Sequence, residues 1–226
     1  MNRKRKLQIV IDLGMTILLP LLMAYSLIGE TAHEWIGASM LILFIAHHIL
    51  NFRWFRSLLK GRYNPVRILN TAVNLLLHID ILLQEIGGII MSRQVFSFLN
   101  IQQGASSARV IHLLGAYWGF VLMSVHIGLH WNAMLGHINK LMKKSKWLRI
   151  SARILCAGIS AYGVYAFITR HLGDYMLLKT QFVFFNFDEP IVLFLLDYAA
   201  MMVLFATIGY YLSKFFGKGR AKNLNR

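Results

Sequence analysis

The chain has 226 residues, of which 57% are hydrophobic and 15% are charged, and its formal net charge is +15. Soluble domains carry roughly 25% charged residues, so this sequence has too little polar surface for a protein dissolved in water. Its basic residues stand in short clusters between long apolar runs, which argues against nucleic acid as a partner. The composition predicts an integral membrane protein that contacts membrane lipid.

Six apolar segments follow one another along the chain. A helix needs roughly 20 mostly apolar residues to cross the hydrocarbon core of a bilayer. The segments that meet this length are residues 7–29, 33–55, 68–91, 109–137, 147–169 and 190–216. The first follows a basic stretch but is too long for a signal peptide, and no A-x-A-like cleavage site follows it. We therefore expect an all-α bundle of six transmembrane helices.

Lysine and arginine predict the orientation of this bundle. If the N-terminus is inside, the termini and loops on the cytoplasmic side hold 20 of the 24 lysines and arginines. Because positively charged loops are retained in the cytoplasm, both termini are predicted to lie inside. The chain is then a multi-pass protein of the cytoplasmic membrane.

Several redox cofactors leave sequence signatures that this chain does not carry. Cys156 is its single cysteine, so the sequence offers no C-x-x-C-H for covalently attached haem and no cysteine set for an iron–sulfur cluster. It also has no G-x-G-x-x-G or Walker loop. Electrons that enter or leave the chain are therefore expected to pass to separate molecules.

Histidine is concentrated in the second and fourth segments. A step of 14 residues separates His33 from His47, and the same step separates His112 from His126. Fourteen residues make nearly four helical turns and about 21 Å of rise, so each pair faces one side of its helix at two depths. Both segments run from outside to inside. We thus expect His33 level with His112 near the outer face, and His47 level with His126 nearer the inner face.

Two such pairs suit b-type haem. Neutral imidazole is an axial ligand of haem iron, and facing helices of a bundle are a common place for such a site. The pattern predicts two haems, with iron bound by the outer pair and by the inner pair. A single haem held by one of these pairs is the alternative. The haem core is expected in the first four helices, at about residues 7–137. Two further helices at about 147–216 complete a single transmembrane domain over residues 1–226.

Two of the four ligands have alternatives. His48 is an alternative to His47, since neighbouring residues of a helix differ by about 100° of azimuth. His130 lies one turn beyond His126 and is an alternative inner ligand or a residue facing a quinone. Both choices stay open.

Arginines and glycines near these histidines extend the predicted site. Arg109 and Arg53 are candidates to pair with haem propionates, because guanidinium binds carboxylate in a bidentate manner. Gly37 and Gly115, each about one turn from an outer histidine, are expected to make room for the porphyrin.

The sequence resembles a known bacterial family along nearly its whole length. The resemblance rests on residues 33–37 (HEWIG), 47–51 (HHILN), 63–65 (YNP), 117–120 (YWGF), 130–131 (HW) and 197–198 (DY). These stretches are similar to the flavinylation-associated cytochrome family, a former domain-of-unknown-function membrane family. The resemblance implies a membrane cytochrome that passes electrons between the quinone pool and extracytosolic proteins carrying covalently attached flavin.

The third segment departs from the expected family pattern. The family's third helix is expected to be plainly apolar, yet here it carries His78, Asp80, Gln84 and Glu85. Such groups inside a bilayer are often functional, and we interpret them as a proton path or a quinone pocket. An interhelical polar contact is the alternative interpretation.

These observations predict an electron-transfer subunit of the bacterial inner membrane, with two b haems and a quinone as candidate cofactors. The sequence leaves open whether the chain oxidises quinol itself, and it does not give the oligomeric state. The rival hypothesis is a haem-free permease or membrane scaffold, whose histidines and carboxylates would serve proton-coupled transport or assembly.

Overall fold

The structure, a computed structural model, describes residues 3–101, 103–131 and 145–223, and helices make up most of them. The α-helices are α1 (Arg3–Met23), α2 (Tyr25–Ile28), α3 (Glu30–Leu50), α4 (Arg53–Ser57), α5 (Pro65–Met91), α6 (Ala105–Leu129), α7 (Lys146–Thr169), α8 (Leu172–Met176) and α9 (Ile191–Asn223). Six of them, α1, α3, α5, α6, α7 and α9, are long and apolar enough to cross a membrane. The predicted all-α fold with six membrane-spanning helices is confirmed.

The helix ends differ from the predicted segments where a residue favours a break. The first predicted segment is divided, because α1 ends at Met23, one turn after Pro20, and the short α2 follows. Gly29 then takes a φ of 84°, in the left-handed region that favours glycine, and α3 begins at the next residue. The fourth predicted segment reached His137, which lies outside the described residues, whereas α6 ends at Leu129.

The chain forms two compact units. The first comprises Met1–Arg62, Ile79–Trp118 and Asp174–Leu195, and the second comprises Tyr63–His78, Gly119–Gly173 and Leu196–Arg226. The boundaries run through α5, α6, α8 and α9, and about half of α5 and half of α6 belong to each unit.

In the first unit, α1 and α3 pack side by side in opposite directions. Ile11 and Met15 of α1 are buried against Met40 of α3. Beyond this apolar core, Gln8 Nε2 donates a hydrogen bond of 2.9 Å to Asn51 Oδ1. These contacts fix the rotation of α1 about its axis, and so decide which of its side chains meet the last turns of α3.

In the second unit, α6 and α9 approach until their backbones touch. A Cβ placed on Gly128 would overlap the carbonyl of Ala206, and a Cβ placed on Gly209 would overlap the carbonyl of Val125. Small residues permit such close contact between membrane helices. Glycine is therefore required at both positions.

Candidate functional site

The structure brings His33 and His112 together within the first unit. His33 lies in the first turns of α3 and His112 lies in α6. Their ring centroids are 6.1 Å apart, with an angle of 73° between the ring planes. Two imidazoles bound to one metal ion through bonds of about 2.0–2.1 Å have ring centres roughly 6 Å apart. The two ring centres are therefore as far apart as those of two imidazoles on opposite sides of one metal ion, and the rings meet edge to face.

Helix α5 holds the His112 ring in a defined orientation. Nδ1 of His112 lies 3.1 Å from the backbone oxygen of Gln84, and Gln84 Nε2 donates a hydrogen bond of 2.7 Å to the backbone oxygen of His112. Because the carbonyl accepts only, Nδ1 carries the proton, and Nε2 is the nitrogen with a lone pair. Metal-binding histidines commonly donate their second N–H in this way.

Two glycines let α5 come this close to His112. A Cβ on Gly87 would lie 3.3 Å from the backbone oxygen of Ala108 and 3.4 Å from His112 Cβ. A Cβ on Gly88 would lie 3.7 Å from His112 Cε1. The Gln84–His112 contact thus depends on glycine at positions 87 and 88, about one turn beyond Gln84 in α5.

The other ring, His33, has space and an unused nitrogen. Its Nδ1 is buried and has no hydrogen-bond partner among the residues that the structure describes. Tyr25 meets the ring edge-on, with centroids 5.1 Å apart. One turn along α3, a Cβ on Gly37 would have no atom within 4 Å. Haem needs only two axial ligands from the protein, and these two imidazoles are the residues that would supply them.

Gly115 lies against side chains of α5, whereas the sequence predicted a porphyrin beside it. A Cβ on Gly115 would collide with the side chains of Gln84 and Asp80. The space in front of this glycine is therefore filled by α5, which corrects the expectation that Gly115 makes room for the porphyrin. Gly37 is the glycine that stays open.

Glu34 anchors the loop that follows α5. Its carboxylate accepts hydrogen bonds from the Ser92 hydroxyl at 2.6 Å and from the backbone N–H groups of Arg93, Gln94 and Val95 at 2.8, 3.0 and 2.9 Å. The residue beside His33 in the chain therefore fixes the end of α5, and with it the position of Gln84 two turns earlier.

At the other end of α3, His47 contacts a carboxylate. Its Nδ1 lies 2.8 Å from Asp12 Oδ1 of α1. Asn51 donates from Nδ2 to the backbone oxygen of His47 at 2.8 Å and is itself bonded by Gln8. As at His112, Nδ1 is the nitrogen engaged by a neighbouring helix. Nε2 remains as the nitrogen for a ligand.

His48 is oriented differently from His47. Its Nδ1 lies 2.8 Å from the backbone oxygen of Phe44 in its own helix, and its ring packs against Phe44 and Phe55 at centroid distances of 4.1 and 5.6 Å. The partners of His48 are thus the aromatic side chains and the backbone around it, whereas His47 is oriented by α1.

The second unit contains the remaining two candidate ligands. Nδ1 of His126 lies 2.8 Å from Asn74 Oδ1 of α5. His130 follows one turn later, with its ring centroid 4.6 Å from that of His126. His47 belongs to the first unit and His126 to the second, so their pairing stays a prediction from sequence.

The two arginines predicted to bind propionates lie in different surroundings. Arg109 is exposed, and its guanidinium carbon is 5.0 Å from the centre of the Phe182 ring. Arg53 is exposed at the first residue of α4. Whether either pairs with a propionate stays a prediction.

The polar residues of α5 are only partly accounted for by contacts. Gln84 binds the backbone of His112, as the alternative interpretation of an interhelical contact expects. Asp80 is half-buried, and its Oδ2 has no hydrogen-bond partner within residues 3–101, 103–131 and 145–223. Glu85 is also half-buried. Asp80 and Glu85 stay candidates for proton transfer.

Sequence reasoning missed the groups that orient the histidines. Asn74 contacts His126, Asp12 contacts His47, and the Gln84 carbonyl contacts His112. Asn74 and Asp12 are polar residues inside apolar segments. The histidines were identified by the same property, so it could also have identified these two residues. The Gln84 acceptor is a backbone atom, so no residue type marks it.

No set of three or more histidine, cysteine, aspartate or glutamate side chains converges as a metal site in the described part of the chain. Comparisons with protein-family models, curated proteins and solved structures find no match for this chain.

Proposed function

We propose that this chain is a membrane b-type cytochrome that passes electrons between the quinone pool and an extracytosolic, flavin-carrying protein. The observation that supports it most is the outer pair. The ring centroids of His33 and His112 are 6.1 Å apart, and Nδ1 of His112 is bound by a carbonyl so that Nε2 is the available ligand atom. Haem bound there supplies one-electron chemistry.

The inner histidines extend the proposal to a second haem. His47 and His126 each have Nδ1 bound by an oxygen from another helix, which is the arrangement found at His112. This favours them over His48, whose Nδ1 is bound within its own helix. Two haems about 21 Å apart along the helix rise would connect the two faces of the membrane.

Quinol is the proposed electron source or, in the reverse direction, quinone the acceptor. Oxidation of one quinol to quinone releases two electrons and two protons. Asp80 and Glu85, which lie in the membrane-spanning part of α5, are the groups proposed to accept these protons. The bacterial inner membrane is the proposed location, with both termini inside.

The first test is haem content. The protein is purified in detergent, and reduced-minus-oxidised spectra and a pyridine haemochrome assay are recorded for the wild type, His33→Ala, His47→Ala, His112→Ala and His126→Ala. About two b haems per chain are expected in the wild type, with one lost in each variant.

His171→Asn is the matched control, since it removes an exposed histidine outside the site. Asparagine tolerates the positive φ of 54° at this position. The control should retain both haems. A well-folded wild type without haem would end the cytochrome proposal.

One observation favours a second candidate, a proton-coupled permease. Asp80 has a buried, unpartnered oxygen in a membrane-spanning helix, judged over the described residues. Such a group suits reversible protonation during transport. The haem assay decides between the candidates, and the permease is promoted only when folded protein contains no haem.

A further inference from the structure

We infer that Asp12 is a positioning residue that lowers the midpoint potential of a haem bound at His47 below that of a haem bound at His33 and His112. This inference rests on the proposed function. It adds an order of the two midpoint potentials, which the spacing of the histidines does not give.

The contact that carries the inference is between Asp12 and His47. Asp12 Oδ1 lies 2.8 Å from His47 Nδ1, and the two side chains expose only 25% and 23% of their surface. A carboxylate that accepts from Nδ1 makes the imidazole a more basic ligand through Nε2. Its negative charge also favours the more positive, oxidised form of an iron bound there. Both effects lower the midpoint potential.

The position of Asp12 is set by packing. Asp12 follows Ile11 directly, and Ile11 and Met15 are buried against Met40 of α3. These contacts fix the rotation of α1 about its axis, so that the carboxylate is directed at His47. The pair is therefore built into the α1–α3 interface and does not depend on a flexible surface side chain.

Among the described residues, no carboxylate accepts a hydrogen bond from His33 or His112. His112 meets the neutral backbone carbonyl of Gln84, and His33 Nδ1 has no hydrogen-bond partner in the described part of the chain. Glu34 is next to His33 in sequence, but its carboxylate is bound by the Ser92 hydroxyl and by the backbone N–H groups of residues 93–95. A direct carboxylate contact of the kind that Asp12 makes would therefore distinguish the site at His47.

The contact with Asp12 would therefore give a haem at His47 the lower of the two midpoint potentials. Haems held at the two sites would exchange one electron at a time, and such a transfer forms or breaks no covalent bond. The electron donor and acceptor are those of the proposed function, the quinone pool and an extracytosolic flavin.

The test is a potentiometric titration of the wild type and Asp12→Asn. Asparagine keeps the shape of the side chain and removes its charge. We expect one of the two midpoint potentials to rise by at least about 59 mV, which is a tenfold change in a one-electron equilibrium constant. The other midpoint should stay in place. Asp188→Asn is the control, since it neutralises an exposed carboxylate, and should shift neither potential.

A second measurement does not require Asp12→Asn to fold. In His47→Ala the haem that remains should be the one with the higher midpoint potential, and in His33→Ala it should be the lower one. The reverse order, or unchanged potentials in Asp12→Asn with intact haem, would overturn the inference and leave the cytochrome proposal standing. A wild type that contains no haem would overturn both.

Discussion

The two ends of the first unit orient a histidine by different means. At one end, His112 is bound by a backbone carbonyl that α5 can present only because Gly87 and Gly88 allow a close approach. At the other end, His47 is bound by the carboxyl side chain of Asp12. The contact at His112 depends on how α5 packs against α6. The contact at His47 depends on the side chain of one residue, Asp12, which a single substitution can change. The surroundings of His112 should thus respond to packing changes and those of His47 to charge changes.

The largest effect should come from disturbing the packing of α5 against α6 beside His112 with Gly87→Val. A Cβ there would be 3.3 Å from the Ala108 backbone oxygen, which cannot move aside as a side chain can. Overpacking of this kind destabilises a protein by about 1–3 kcal/mol, and we expect the upper end of that range. The measurement is thermal unfolding in detergent, followed by circular dichroism.

Gly158→Val is the matched control for that variant. A Cβ on Gly158 in α7 would have no atom within 4 Å, so the same substitution should leave stability nearly unchanged. Equal losses in the two variants would show that α5 and α6 do not approach closely at Gly87.

A smaller effect is expected from Glu34→Gln, which weakens the loop that ends α5. The amide offers one acceptor oxygen and no charge, in place of a carboxylate that binds four donors. Hydrogen bonds to charged groups contribute about 1.5–3 kcal/mol, and we expect a local loss of about 2 kcal/mol. Hydrogen exchange at the amides of Arg93, Gln94 and Val95 should accelerate accordingly.

Glu30→Gln tests whether that result is specific. Glu30 lies 3.6 Å from Arg93, whose side chain is 78% exposed, and such surface pairs contribute about 0–1 kcal/mol. Exchange at residues 93–95 should therefore stay close to the wild-type rates. Acceleration as large as in Glu34→Gln would mean that net charge, and not the carboxylate geometry, holds the loop.

The smallest effect should be that of Arg109→Gln, compared with Arg53→Gln at the other end of the unit. Arg109 contacts the Phe182 ring, and an exposed cation–π contact contributes about 0.5–1 kcal/mol. The melting temperature should fall slightly in Arg109→Gln and stay constant in Arg53→Gln. Loss of haem from either variant, with stability preserved, would support the propionate role predicted from the sequence.

The helices were predictable because length and hydropathy are properties of a local stretch of chain. The break between α1 and α2 was harder, since Pro20 indicates a bend but does not say that the helix ends at Met23. Equal spacing on two co-directional helices also predicted that His33 and His112 would lie at one depth, and their rings do meet.

The orienting contacts were not predictable in the same way. Asp12 and His47 are 35 residues apart, and Gln84 and His112 are 28 apart. Which polar group meets which ring depends on the rotation of each helix about its axis, and packing against other helices decides that rotation. The same reason explains Gly115, whose neighbour is α5. Spacing along one helix says nothing about what occupies the space in front of it.

The backbone contact between α6 and α9 has a consequence for the side chains around it. Gly128 touches the Ala206 carbonyl and Gly209 touches the Val125 carbonyl, so at these points no water molecule fits between the two helices. A side chain larger than hydrogen at either glycine would have to push the two helices apart. The separation of α6 and α9 is therefore set by backbone atoms at these two points, and the neighbouring side chains pack at a distance that the glycines determine.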